Sequence, residues 1–191
     1  MKLKRILSLA LSGVLAVSML TACGGIGSAL ANRSSSFRSE LNGAQEMLNY
    51  KAGDRSLSDA IYTVAGTLTE AQANTNGVDD GVESTVQQLT GYREPSLTPW
   101  NGADAKETLT YVKVFVYNTD NADYDTMREV ADNVADTLDG MKLNSDAATA
   151  NGVTYSGDVA AYEKTVGTGE NAIHALVVGV AITQTIADAQ S

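Results

Sequence analysis

"NGVTYSGDVAAYEKTVGTGENAIHALVVGVAITQT", residues 151–185, decides the fold class. Val153 to Thr165 and Ile173 to Thr185 are two runs rich in β-branched and aromatic residues, and the glycine-rich "GTGEN" between them is suited to a hairpin connection. Within the second run "ALVVGVAI" has no polar residue at either parity. A strand that is apolar on both sides belongs in the middle of a sheet.

Upstream of this hairpin, "LTYVKVFVY" (109–117) alternates Val112, Val114 and Val116 against Tyr111, Lys113, Phe115 and Tyr117, a third strand with one wholly apolar face. Between the strands, Met127, Val130, Ala131, Val134, Ala135 and Leu138 recur at helical spacing. Arg128, Asp132, Asn133 and Asp136 lie on the other side, and Gly140 marks the stop. Further back, Leu57, Ala60, Ile61, Val64, Ala65, Leu68 and Ala71 predict one helix capped by Ser56 or Ser58. Asp80 and Glu83 have the spacing of an acidic capping box for a short helix carrying Val82, Val86 and Leu89 and ending at Gly91. Phe37, Leu41, Ala44, Met47 and Leu48 predict a helix from about Ser36 to Tyr50. "REPSLTPWNGAD" (93–104) holds both prolines and the only tryptophan and reads as a long connection between two halves of one domain. The expected class is therefore α+β: N-terminal helices, then β-α-β-β, with an antiparallel sheet covered by helices on one face.

The chain begins with Lys2, Lys4 and Arg5 followed by an uncharged stretch from Ile6 to Leu20, the layout of a signal peptide. As a helix that stretch rises about 1.5 Å per residue and falls short of a hydrocarbon core of about 30 Å. The tetrad Leu20-Thr21-Ala22-Cys23 that follows resembles the lipobox of bacterial lipoproteins. That resemblance implies cleavage before Cys23, attachment of a diacylglycerol to its thiol, and residence on the extracytoplasmic face of a membrane. Burying acyl methylenes is worth about 0.8 kcal/mol each, and two or more chains make such an anchor stable. The expected organisation is a leader at 1–22, a flexible tether at 23–36 rich in Gly, Ser and Ala, and a single domain at 37–191.

The leader contains three of the 13 Lys and Arg residues and none of the 23 acids, so the chain from Cys23 onward carries ten basic against 23 acidic side chains, a net charge of -13. Phosphate backbones and anionic headgroups repel such a domain, which argues against nucleic-acid binding and against adhesion to the membrane by charge. Cys23 is the only cysteine, so no intrachain disulfide can form, and a lipidated Cys23 leaves no thiol for redox or nucleophilic chemistry.

Candidates for chemistry are few. His174 is the only histidine and opens the last expected strand, where a half-exposed structural role is the simplest reading. "NTDNADYDTMRE" (118–129) gathers Asp120, Asp123 and Asp125, but counted from Asn118 the glycine that an EF-hand needs at its sixth position is Asp123. Acids ahead of a helix serve its dipole, and Asp79 and Asp80 in "NTNGVDDGVE" (74–83) read the same way. No phosphate-cradling glycine motif is present, and no cofactor or metal is expected. Tyr92 and Trp100, in or beside the long connection, are the candidate contact surface.

From the helix at 57 to the hairpin at 184, the order of helix, "VKVFVYN", "MREVADNVADTLDG" and hairpin resembles the phage tail terminator family. That resemblance implies a small α+β domain without catalytic residues, able to assemble into rings, whereas the export leader departs from a family assembled in the cytoplasm. The expected function is a membrane-anchored lipoprotein with a non-catalytic binding or structural role toward an envelope or protein partner. The alternatives are a ring-forming homo-oligomer, or an extracytoplasmic enzyme using carboxylates such as Asp79, Asp80, Asp120, Asp123 and Asp125. Acids and Trp100 converging on one pocket would favour the enzyme; acids dispersed over helix caps would favour the binding module.

Overall fold

The computed structural model describes residues 30–94, 105–140, 143 and 145–186. In chain order its elements are β1 (Ala31–Asn32), α1 (Ser34–Ala44), β2 (Lys51–Ala52), α2 (Arg55–Gly66), α3 (Glu70–Ala73), β3 (Gly77–Val78), α4 (Asp80–Thr90), β4 (Leu109–Asn118), α5 (Met127–Asp139), α6 (Ser145–Ala150), β5 (Val153–Val166) and β6 (Ile173–Ile186). The leader, the tetrad ending at Cys23, and Trp100 lie outside the described residues.

β5 and β6 pair antiparallel from Val153 opposite Ile186 to Val166 opposite Ile173, and Gly167 makes the turn possible with a φ of 84°. β4 lies antiparallel on the other side of β6, Leu109 opposite Gln184 and Asn118 opposite Ala175. The run that is apolar at both parities is thus the middle of the three long strands. Two-residue strands flank them: β1 and β2 pair with β5, β2 in parallel, and β3 pairs with β4.

The α+β class, the β-α-β-β order and the antiparallel long strands agree with the sequence reading. The helices, however, lie on both faces instead of one. Phe37 and Leu41 of α1, with Val130, Val134 and Leu138 of α5, pack on Phe115, Tyr117, Val159, Ala161, Leu176, Val178 and Val180. On the opposite face Leu57, Ile61 and Val64 of α2, with Val82 and Val86 of α4, pack on Val112, Val114, Val116, Ala160, Val177 and Ala181. The physical reason is the apolar character of β6 itself, whose two faces must both be removed from water.

Two glycines let large side chains sit against the sheet. A Cβ at Gly179 would come within 2.4 Å of Cδ1 of Ile61, and one at Gly157 within 2.4 Å of the Tyr50 ring. Tyr50 is held at its backbone by Asn42, whose side chain accepts from the Tyr50 N–H (2.8 Å) and donates to its carbonyl (3.0 Å). That clamp belongs to a loop: the helix expected to reach Tyr50 ends at Ala44, where Gln45 turns extended and its side chain bonds both the N–H and the carbonyl of Leu48. The helix expected over 57–71 is likewise divided. α2 stops at Gly66, and Thr69 and Gln72 form a capping box that starts α3. The cap of α2 is Asp54, which accepts from the Leu57 N–H at 2.7 Å, not Ser56 or Ser58. Gly91 ends α4 with a φ of 76°, as its position suggests. At the N-terminal boundary, Ala31 to Ser36 belong to β1 and α1 and so to the fold, which moves the end of the expected tether back to about residue 30.

The outer edges of the long strands are sealed largely by non-strand groups. On β5, Ser34 Oγ accepts from the Ala161 N–H (3.0 Å), the Arg33 N–H donates to the Ala161 carbonyl (2.9 Å), and the Gly53 N–H donates to Val159 (2.8 Å). On β4, Asn76 Oδ1 takes the Asn118 N–H (2.8 Å), the Asp79 N–H reaches the Val114 carbonyl (3.2 Å), and Arg93 exchanges backbone bonds with Thr110 and Val112. The Val114 N–H between them is taken by the carboxylate of Glu83 at 3.1 Å. Glu83 is therefore not the far half of a capping box. Asp79 is the N-cap of α4, accepting from the Val82 N–H at 2.9 Å, which places Glu83 one residue beyond the reach of that motif. Glu83 is buried, 3% exposed, and paired with the Lys113 ammonium at 3.2 Å.

Two outcomes follow from this packing. Gly179→Ala should cost about 1–3 kcal/mol in urea unfolding by forcing Ile61 from its seat, and Ile61→Ala alone about 2–5 kcal/mol. The double variant should cost clearly less than their sum, since the added methyl enters the space Ile61 vacates. Glu83→Ala should cost about 3–5 kcal/mol, because it strands a buried N–H and an ammonium together. Burial raises the Glu83 carboxyl above its ordinary pKa, against the opposing pull of the Val114 amide and Lys113. The folded state then holds this proton to higher pH than the unfolded chain, so the group's contribution is greatest in acid and declines as pH rises through its folded pKa. Glu83→Gln should remove that component when unfolding is compared between about pH 4 and pH 7.

Candidate functional site

The charged residues singled out by sequence are dispersed over the fold. Asp79 caps α4 and also accepts from Thr75 Oγ1 at 2.8 Å. Asp80 occupies the first turn of the same helix. Neither lines the cleft beside Asp125 described below. Among the described residues no three His, Cys, Asp or Glu side chains are gathered closely enough to hold a metal ion.

Tyr92 sits at the C-terminal side of α4, where its hydroxyl donates to Asp54 Oδ2 at 2.7 Å, the same carboxylate whose other oxygen caps α2. Burial, then the bond to Asp54, pushes the Tyr92 phenol above its usual range. Asp158 on β5 is also raised, by burial first and by repulsion from Asp54 second, with Lys51 of β2 opposing. Tyr92 therefore joins α4 to the cap of α2. The sequence offered Tyr92 as contact surface, and the structure gives it an internal bond as well.

His174 lies half-exposed at the start of β6, and the structure supplies the partner that one sequence could not. Asp120 accepts the His174 backbone N–H through Oδ2 and contacts ring Nδ1 through Oδ1, both at 2.8 Å. The Thr119 N–H and hydroxyl donate to the His174 carbonyl at 2.8 and 3.0 Å. The loop after β4 is thereby fastened to the end of β6. The His174 backbone amide, followed by its ring, holds the Asp120 carboxyl below the usual carboxylate range. Asp123 and Asp125 follow along the same loop. The Asp120 and Asp123 backbone N–H groups donate to Asn118 and Asn121 side chains, local turns that lead to the α5 capping box of Thr126 and Glu129.

Beside that loop a cleft of about 190 Å³ opens between the N-terminal ends of α1 and α5. Val130 and Leu176, both buried, form its floor with Met127, and Arg33, Asp125 and Glu163 stand around it. Arg33 Nε donates to Glu163 Oε2 at 2.5 Å. Arg33 and Glu163 drew no attention in the sequence. The signal that connects them is the register of β1 on β5, Ala31 opposite Glu163, which two-residue strands do not announce.

Compared with known proteins, the chain matches no protein-family model, no curated protein and no solved structure. The chemistry of these sites therefore rests on their own geometry, and the resemblances drawn from sequence remain expectations.

Asp120→Ala should release the loop from β6. Amide exchange at His174 and Thr119 should accelerate at least about tenfold, with a global cost of about 1 kcal/mol after allowance for solvent at this exposed pair. Because the folded pKa of Asp120 is depressed, its stabilising increment is present above the ordinary carboxylate pKa of about 3.9 and is lost as pH falls through the folded value. The variant should lack that acid-side loss, measurable by thermal unfolding across the carboxylate range.

Proposed function

We propose that this chain is a lipoprotein anchored through Cys23 on the extracytoplasmic face of a membrane, where its acidic domain has a non-catalytic binding role. The observation that carries the reading is the Leu20-Thr21-Ala22-Cys23 tetrad at the end of an uncharged run preceded by Lys2, Lys4 and Arg5. Two further facts are consistent with it. Among the described residues no helix is long and apolar enough to cross a membrane. The first strand begins at Ala31, only eight residues past Cys23, so an anchor there would hold the domain within roughly 30 Å of the lipid.

A non-catalytic role is supported by what the acids do. Asp54 and Asp79 cap helices, Glu83 seals an edge amide, and Asp120 fastens His174; these four carboxylates are occupied in holding the fold, while of the two that line the cleft Glu163 is paired with Arg33. A carboxylate enzyme needs two such groups facing one substrate, in one site, with room for it between them. The partner chemistry then belongs to an open surface rather than a catalytic pocket.

In the native host, wild-type protein should fractionate with membranes, and mass spectrometry should find a mature N-terminal Cys23 carrying a diacylglycerol. Cys23→Ser should leave the protein unanchored and the circular dichroism of the domain unchanged. Equal membrane fractionation of the two, or an unmodified native Cys23, overturns the proposal.

A further inference from the structure

We propose that the outer side of α2, centred on Tyr62, rests on the zwitterionic phospholipid headgroups of the membrane that holds Cys23. The inference rests on the proposed anchor and adds to it the face that the domain turns to the bilayer. Among the described residues two large hydrophobic side chains are exposed, Tyr62 at 53% and Leu89 at 37%. Tyr62 is the one beside the point where the chain enters the fold. Leu30 packs against the apolar cluster that α2 builds, its Cδ1 3.7 Å from where a Cβ on Gly66 would stand. Gly66 is one helical turn beyond Tyr62, on the same side of α2. Cys23 precedes Leu30 by seven residues, a reach of at most about 25 Å. A lipid on Cys23 therefore keeps this end of α2 within that distance of the headgroups.

The surface around Tyr62 suits that neighbour in charge. Arg55 and Asp59 are the only charged residues of α2 and pair with each other, so this helix brings no net charge. α4 holds Asp80 and Glu83 with no basic residue, and α5 one basic residue against four acids. α1 is neutral as well, but it carries no exposed large apolar side chain. In so acidic a domain, α2 is the neutral helix that also offers an exposed aromatic ring. The polar groups nearby are already bonded within the fold: the Tyr162 hydroxyl to Ser58 and Asn32, and the Gly66 carbonyl to the Lys164 ammonium. Approaching lipid strips no partner from them. The Tyr62 ring stands edge-on to Tyr162, centroids 5.4 Å apart at 81°, and more than half of it faces outward. A tyrosine joins an apolar ring to a polar hydroxyl, the combination that collects at the headgroup level of bilayers. One such residue is too little to recruit a free protein. On a tethered chain the contact is intramolecular, and it sets orientation.

The test uses the lipidated chain, purified from host membranes and reconstituted into phosphatidylcholine vesicles whose acyl chains are brominated near the glycerol. Tyr62→Trp and Leu89→Trp, each in a Trp100→Phe background, report the depth of the two exposed sites. Fluorescence of Tyr62→Trp should be quenched at least about threefold more than that of Leu89→Trp. The wild-type chain supplies a measurement that leaves α2 unaltered. Iodination of Tyr62 by hypoiodite in the water phase should be at least about fivefold slower on vesicles than in Cys23→Ser free in solution. Equal quenching at the two sites, or equal iodination of Tyr62 in the two chains, overturns the proposal. Cys23 found unmodified on a chain that does not float with vesicles removes the anchor and this contact together. A lipidated chain that floats with Tyr62→Trp unquenched removes the contact alone.

Discussion

The central strand β6 has neither a free edge nor a wet face. β5 and β4 take its backbone along nearly its whole length, and residues of both parities between Ala175 and Ile182 are buried. Every other element answers to that condition. Two helices must cover each face, which is why α1 and α5 sit on one side and α2 and α4 on the other. The burden of unpaired backbone then passes outward to β5 and β4. An unpaired N–H removed from water costs about 1–3 kcal/mol, and a bare strand edge also invites another chain. The molecule meets this with short strands and single side chains: Ser34 on one edge, Asn76 and Glu83 on the other. Of these Glu83 is the buried one, a carboxylate that accepts from the Val114 amide, the Gln87 side chain and the Lys113 ammonium.

Much of this was legible in the sequence, and the reasons for the rest are specific. β4, α5 and the β5-β6 hairpin carry strong periodicity and lie within a residue or two of where they were expected. The two-sided cover was legible as well, because "ALVVGVAI" already declared two apolar faces; assigning helices to a single face contradicted that declaration. The edge seals were not legible. β1, β2 and β3 have two residues each, too few for any period to show. Glu83 misled because an acid three residues after Asp80 imitates a capping box, and only the placement of the cap at Asp79 shows that its side chain is directed elsewhere. Thr69 hid the break between α2 and α3 in a run whose spacing looked continuous.

The sites show the same division. Sequence picked out His174 and Asp120 as separate features, yet their meeting follows from the β4-β6 register, which brings Asn118 opposite Ala175 and sets the next loop against the start of β6. Tyr92 stood out in the sequence as a candidate contact residue, but its bond to Asp54 spans 38 residues and no local pattern encodes it. The cleft is further still from the sequence. Its charged side chains come from β5, the turn before α1 and the loop before α5, while its floor comes from α5 and β6, so it exists only once both hairpin register and helix docking are set.

Charge along the chain bears on how an anchored domain would be presented. The stretch from Leu30 to Arg55, which includes the strands on the outer side of β5, has four basic residues against three acidic ones. From Ser56 to the end there are six basic against twenty acidic. On the proposed lipidation at Cys23, the nearly neutral stretch is the part tied closest to the bilayer, and charges there act within a Debye length of about 8 Å. Were the order reversed, a strongly acidic surface would be held against anionic headgroups and its repulsion would oppose the anchor. In the folded domain, however, the two stretches meet: β1 pairs with β5 at Glu163 and β2 at Asp158, so acids from further along the chain stand beside the nearly neutral one, and there Arg33 is the charge that offsets Glu163.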